Sequence, residues 1–370
     1  MKLIAHLSLF SLLFLVPACQ PAIEESSPPV ETKQDTFKSK TAVDRPHIWC
    51  WDTYSEEKDY DAMLQKMVAH GMTGLLLNAS VEGYKKVVPL AEKHGIELHA
   101  WLWILNNHKI ADQHPEWLSV NRAGYSLAEK KAYVDYYKFL CPAIPEVREA
   151  IYSQVEEILS IEGVHGISCD YTRYVDVILP ENLQPNYGIV QDKEYPEWDY
   201  GYHPFMIEKF MAEYGYDPRN QVEPAFDINW STFRYKQVNE IVNELANRAH
   251  ALGKEISASP FPSPTVARRI CKQDWGNWDL DFVFPMVYYG FYGGTDKKWI
   301  GDCIREGKTA MAHQEAEIYA GFFVPDHLND SIPLNTAFNI AIENGASGIS
   351  VYDFNAITDA QWELIKMLNF

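Results

Sequence analysis

Positive charge is in short supply in this sequence: Lys and Arg number 32 against 51 Asp and Glu, a formal net charge of −19. That balance argues against nucleic acid as a partner and against adsorption to anionic membranes. It leaves room for a local cation that holds an anionic ligand. Cysteine is sparse too, with six residues and no CxxC pair. A disulfide framework is therefore not expected. No HxxxH or clustered His/Cys pattern appears, so no metal and no other cofactor is expected. After the first strand-like run stands Trp51-Asp52-Thr53-Tyr54, where a dinucleotide-binding sheet would carry a glycine-rich phosphate loop. No internal repeat is found.

Aromatics are abundant. They make up 14% of the chain, with 11 Trp and 22 Tyr, more than a core of this size requires. Surplus Trp and Tyr suit a cleft that stacks on flat apolar faces such as sugar rings. At the N-terminus, Lys2 supplies a positive start, Leu3 to Val16 an apolar run too short to span a membrane comfortably, and Val16-Pro17-Ala18-Cys19 a cleavage site. This resembles a bacterial lipobox. Residues 1–19 are expected to be a lipoprotein signal peptide, with Cys19 lipidated at the bacterial outer membrane, facing the periplasm or the cell surface. Membrane contact would run only through that anchor. Residues 20–44, polar and without apolar period, read as a disordered tether. Cys50, Cys141, Cys169, Cys271 and Cys303 are expected to be buried thiols.

From residue 45 onward, strand-like runs alternate with amphipathic helices. Strands are expected at 47–51, 74–77, 96–105, 166–174, 255–259, 282–288, 318–323 and 348–352. Helices are expected at 57–70, 84–94, 145–161, 203–215, 231–252 and 359–368. Pro145 suits the first turn of its helix. Eight strands with helical connections imply parallel pairing, and eight is the number that closes a barrel. The expected fold class is α/β: a single (β/α)8 barrel over 45–370, with an elaborated loop and helix insertion after strand four.

In such barrels the working residues sit at the C-terminal ends of the strands. Those ends supply Trp51 and Asp52, Asn78, then His99, Trp101, Trp103 and Asn106. Strand four supplies Asp170, Arg173 and Tyr174, and strand five Ser259 and Ser263. Strand six supplies Met286, Tyr288 and Tyr289, of which one must face outward because neighbours alternate. Strand eight supplies Tyr352 and Asp353. The centre of this constellation is Asp170, a carboxylate where a buried strand meets a loop, costly unless paired or used.

The segment Phe139-Leu140-Cys141-Pro142-Ala143-Ile144-Pro145-Glu146-Val147-Arg148, followed by Val164-His165-Gly166-Ile167 and Asp170-Tyr171-Thr172-Arg173-Tyr174, resembles a bacterial family of glycosyl-hydrolase-like barrels. Its members carry "NP…PEVR", "DGI" and "DYIRYP" in this order. Leu98-His99-Ala100-Trp101, His114-Pro115-Glu116-Trp117 and Phe284-Pro285-Met286-Val287-Tyr288 agree further. Cys141, His165 and Val175 depart from that pattern, standing where the family has Asn, Asp and Pro. The resemblance implies a (β/α)8 fold, action on polysaccharide-derived glycans and a functional Asp170.

Glycoside hydrolysis usually needs two carboxyl groups. Asp170 is the first, and Asp353 or Asp52 the expected partner. On this reading Asp170, Arg173, Tyr288 and Asp353 are catalytic. Trp51, Asp52, Asn78, His99, Trp103, Asn106, Tyr174 and Tyr289 bind an oligosaccharide, neutral or anionic. Two alternatives stay open. One is a lyase or dehydratase that forms an unsaturated uronic acid, with Arg173 gripping the substrate carboxylate and a Tyr or His taking the proton. The other is a glycan-binding lipoprotein without catalysis.

Overall fold

The computed structural model describes residues 45, 47–293, 296–328 and 332–368. Cys19, the signal peptide and the tether lie outside them. The strands are β1 (Ile48–Thr53), β2 (Gly74–Asn78), β3 (Glu97–Trp103), β4 (Gly166–Asp170), β5 (Glu255–Ala258), β6 (Phe282–Val283), β7 (Glu317–Phe323) and β8 (Gly348–Tyr352). Each pairs in parallel with its sequence neighbour and β8 closes on β1, giving the expected barrel. The helices are α1 (Tyr60–Ala69), α2 (Val81–His94), α3 (His108–Gln113), α4 (Pro145–Leu159), α5 (Pro204–Tyr214), α6 (Ile228–Ala251), α7 (Pro264–Cys271), α8 (Lys298–Ala310), α9 (Leu334–Glu343) and α10 (Asp359–Lys366).

Local sequence sets these boundaries. Asp59 and Ser80 cap α1 and α2 by accepting from Ala62 N and Gly83 N, and Gly95 ends α2 at φ +66°. Pro145 starts α4, and Thr358 with Gln361 forms a capping box on α10. The sixth strand is shorter than its apolar run predicts. Pro285 has no N–H to extend the ladder, so regular pairing stops at Val283 and only a bridge from Met286 to Gly321 carries it on. The five cysteines from Cys50 onward are free and buried, as expected.

Alternation along the strands divides the core in two. One face packs the sheet against the helices. The other fills the barrel with Trp49, Trp51, Leu76, Trp101, Phe282, Phe284 and Tyr319. Such bulk fits only because small residues stand opposite. A Cβ on Gly74 would lie 2.2 Å from the Trp49 ring, and one on Gly348 2.7 Å from Tyr319. Each aromatic buries roughly 150–250 Å². At about 25 cal/mol/Å² that gives gross stabilisation of about 4–6 kcal/mol per ring.

Below the aromatics, the barrel's N-terminal end is closed by ionic groups. Arg45 pairs with Glu255 at 3.1 Å and Glu317 at 3.6 Å. His99 Nε2 stands 3.1 Å from Glu97 and 3.6 Å from Glu255. His99 was expected at the substrate-binding rim, and this placement corrects that expectation. β3 runs on to Trp103, which leaves His99 near the strand's start, fully buried. Donor atoms of Glu97, His99 and Glu255 lie within 4.8 Å of one another, a spacing open to a metal. The Arg45 guanidinium already meets Glu255, so an ion-paired plug accounts for the cluster.

Burial opposes a charged His99, yet the hydrogen bonds and charges of Glu255 and Glu97 outweigh it and raise the imidazole pKa. A raised folded value stabilises the protein fully below the ordinary imidazole range, and the contribution fades as pH rises through the folded value. His99→Gln should therefore lower the melting temperature most near pH 6 and progressively less toward pH 9. The loss at pH 6 should approach the about 3–5 kcal/mol typical of breaking a buried ion pair. Thermal denaturation followed by circular dichroism across that range checks this; a pH-independent difference would mean that His99 is neutral in the fold.

Candidate active site

At the C-terminal end of the barrel lies a cavity of about 220 Å³ with a mostly aromatic lining. Trp51 and Trp101 rise from the barrel interior to form its floor, and Trp103, at the end of β3, forms one side. Tyr136 and Tyr137 come from the long connection between β3 and α4. Leu179, Pro180, Leu183 and Tyr187 come from the insertion after β4. Tyr288, Phe291, Phe323 and Tyr352 complete the ring from β6 to β8.

Asp170 ends β4 inside this aromatic wall. Its Oδ2 accepts from Trp101 Nε1 at 3.0 Å and its Oδ1 from Tyr171 N at 2.6 Å. Tyr171 itself adopts φ +49°, a left-handed conformation that is uncommon outside glycine. The strain is held by packing, because the Tyr171 ring lies 4.6 Å from Trp103 and its hydroxyl 3.0 Å from that of Tyr136. Desolvation dominates the carboxyl's behaviour. It outweighs the two hydrogen bonds and the charge of Arg173, so the pKa is pushed up to about 6. A carboxyl that titrates near neutrality in a stacking cavity is suited to proton transfer.

Arg173 lines the cavity as well, but it is not free at the rim. It is buried, pairs with Asp176 at 2.9 Å and donates to Tyr174 O at 2.9 Å. Rings of Phe139, Tyr171 and Phe261 lie 5.0–5.2 Å from its guanidinium carbon. Asp176, which sequence reasoning missed, also accepts from Tyr137 Oη at 2.5 Å. Its position three residues after Arg173 was the available signal. Two other polar atoms on the lining, Ser259 Oγ and Trp103 Nε1, are buried and bond no protein atom among the described residues.

Of the residues expected at the site, Trp51, Trp103, Asp170, Arg173 and Tyr288 line the cavity, with Trp101, Ser259, Met286 and Tyr352. The others serve the fold. Asp52 follows the inward Trp51, so it points outward to Lys58 at 2.5 Å. Asn78 donates to Trp101 O at 2.9 Å, and Asn106 accepts from Lys138 N at 2.7 Å. Tyr174 is buried and donates to Arg234 O at 3.2 Å. Tyr289, on the far face from Tyr288, donates to Asp326 O at 2.6 Å. Asp353 caps the turn after β8 by accepting from Ala356 N at 3.1 Å, and Ser263 caps α7. Neither Asp52 nor Asp353 partners Asp170 across the cavity.

A family model described as "Glycosyl hydrolase-like 10" matches residues 78–322, from the end of β2 to β7. No curated protein matches the sequence. Among solved structures, the glycoside hydrolase domain of PgaB (BpsB) from Bordetella bronchiseptica superposes with a TM-score of 0.62 at 12% identity, over 88% of this chain and 100% of that one. A β-galactosidase from the psychrophilic Marinomonas ef1 gives 0.58 at 12% identity, over 86% of this chain and 58% of its own. An α-L-fucosidase from Paenibacillus thiaminolyticus gives 0.53 at 13% identity, over 87% and 48%. The chain thus spans about half the length of the latter two, and at such identities the likeness is one of fold.

The Trp101–Asp170 bond has a direct test. Trp101→Phe keeps an aromatic ring in the floor but removes a donor to the ionised carboxylate. The Asp170 pKa should rise from about 6. The rise should be about one to two pH units, the worth of one hydrogen bond to a charged group. Carbon-13 NMR titration of aspartate-labelled protein reads this shift; an unmoved titration would mean that Trp101 does not donate to it.

Proposed function

The chain belongs to the glycosyl hydrolase-like 10 family, and we propose that it hydrolyses glycosidic bonds in neutral oligosaccharides, with Asp170 as the proton-transfer group. The observation that carries this is the Asp170 carboxyl, pushed up to about 6, set among stacking aromatics at the mouth of the barrel. A sugar ring packed on Trp103 would bring its glycosidic oxygen toward Asp170. The protonated carboxyl donates to that oxygen as the C–O bond breaks, and water completes the exchange and returns the proton. Asp52 and Asp353 take no part. Asp176 is the other carboxylate on the wall, and it fixes Arg173 and Tyr137 in place.

The neutral substrate follows from Arg173. Among the described lining residues it is the one cation, and Asp176 already neutralises it at 2.9 Å. Gripping a uronate would require breaking that pair inside an apolar wall, which is costly. The same pairing weighs against the elimination chemistry that Arg173 would have served.

Asp170→Asn should leave the melting temperature within a few degrees and lower turnover about 100-fold or more, the usual size for losing a general acid. Mass analysis of neutral and uronate-containing oligosaccharides after incubation should find products that have gained water, from neutral substrates. Products that have lost water would turn the reaction into an elimination. Arg173→Lys should impair every substrate alike and lower the melting temperature, because a bidentate planar group is lost from a packed site. A loss confined to uronate substrates would overturn the neutral assignment.

The N-terminal residues support a cellular place for this activity. We infer from Lys2, the apolar run and Cys19 that the enzyme is lipid-anchored at the outer membrane. Cys19→Ala should release it from the membrane fraction of a lipoprotein-competent host; unchanged partition would refute the anchor.

A further inference from the structure

The cavity is walled unevenly. The connections after β1 (54–59) and β2 (79–80) are short and contribute nothing to its lining. Those after β3 (104–144) and β4 (171–203) are long, and they meet above the site. The Tyr133 ring lies 5.8 Å from Tyr187, which ties the β3 connection to the insertion. Asn182 Nδ2 donates to Gly290 O at 2.7 Å, tying the insertion to the turn after β6. Phe291 of that turn lies 5.3 Å from Phe323 at the end of β7. The wall is therefore continuous from β3 to β7 and low over β1 and β2.

We infer that the site accepts the end of a sugar chain and does not thread a chain through, an inference that rests on the glycosidase reading above. An internally cleaving enzyme needs a groove open at both sides of the bond. Here one side ends on Pro180 and Leu183, which offer no side-chain hydrogen bond to the hydroxyls of a further ring. The volume of about 220 Å³ also falls below the roughly 300 Å³ at which pockets for larger ligands begin.

The wall is pinned in place. Within it, Gln191 Oε1 accepts from Leu179 N at 2.5 Å and Gln184 Nε2 donates to Leu179 O at 2.9 Å. At its far end Asp199 pairs with the fully buried Arg234 at 2.6 Å. A segment held by buried ionic and amide contacts does not swing aside to admit an internal ring. Tyr136 and Tyr187, each 41% exposed, stand at the mouth, where a second ring of the chain would stack outside the cavity.

The test uses the full-length Asp170→Asn protein, whose cavity keeps three tryptophans as fluorescent reporters. The probes are gluco-, galacto- and manno-trisaccharides in three forms. One is free, one carries a 4,6-O-benzylidene cap on the non-reducing ring, and one is extended at the reducing end as a p-nitrophenyl glycoside. At least one free trisaccharide should quench saturably, and modification of one end, not both, should weaken it about tenfold or more, the scale of a lost hydrogen bond. Leu183→Ala shortens the wall where it ends the site and should restore part of the binding of the modified form. Equal binding of all three forms, equal weakening by either modification, no quenching by any probe, or no recovery in Leu183→Ala would each overturn the inference. Absence of hydrolysis by the wild type, with end-selective binding intact, would remove the glycosidase reading and leave the end-binding site standing.

Discussion

The hydrogen bond from Trp101 Nε1 to Asp170 Oδ2 joins the packing of the barrel to the chemistry at its mouth. Trp101 can make it only because the interior below is full. Trp49, Trp51, Phe282, Phe284 and Tyr319 occupy the space, and glycines opposite them leave room for the rings. The carboxylate above is then desolvated by the same aromatics that would stack on a sugar. One constraint, the filling of a barrel with large flat rings, sets both the aromatic lining of the cavity and the shifted pKa.

The second organising element is the insertion after β4. Its first residues carry Arg173 and Asp176, which satisfy each other inside the wall. The remainder runs back over the cavity and is anchored at Asp199 by Arg234 and Arg122. A charge pair that looks like a substrate clamp in the sequence is thus a brace for the cavity. The chain's net negative charge fits this role, since no cation is set aside for an anionic ligand among the described lining residues.

The two ends of the barrel treat ionisable groups in opposite ways. At the closed end, His99, Arg45 and three glutamates compensate one another. At the open end, Asp170 has dipolar donors and no salt bridge among the described residues, and desolvation by burial raises its pKa. Compensation holds His99 charged in the plug, and burial holds the Asp170 carboxyl toward its neutral form.

The barrel, its eight strands and the central Asp170 were legible in the chain because they rest on local rules. Apolar alternation, glycine stops and helix caps act over a few residues, and strand ends in a parallel barrel share one rim. Trp51, Trp103 and Tyr288 were legible for the same reason. Asp52, Asn78, Asn106, Tyr174, Tyr289 and Asp353 were drawn in by proximity to strand ends, yet each faces away or is consumed by a fold-making bond. His99 lies at the opposite end because β3 extends past it. The bond of Asp176 to Tyr137 and the closing of the insertion over the cavity escaped notice because those partners are remote: Tyr137 and Asp176 stand 39 residues apart, Asn182 and Gly290 108. The sequence by itself determined which elements form and which residues reach the rim, through short-range periodicity. Only the tertiary structure decided which of those residues line the cavity and which neutralise one another, because orientation and pairing depend on contacts between segments that no local pattern encodes.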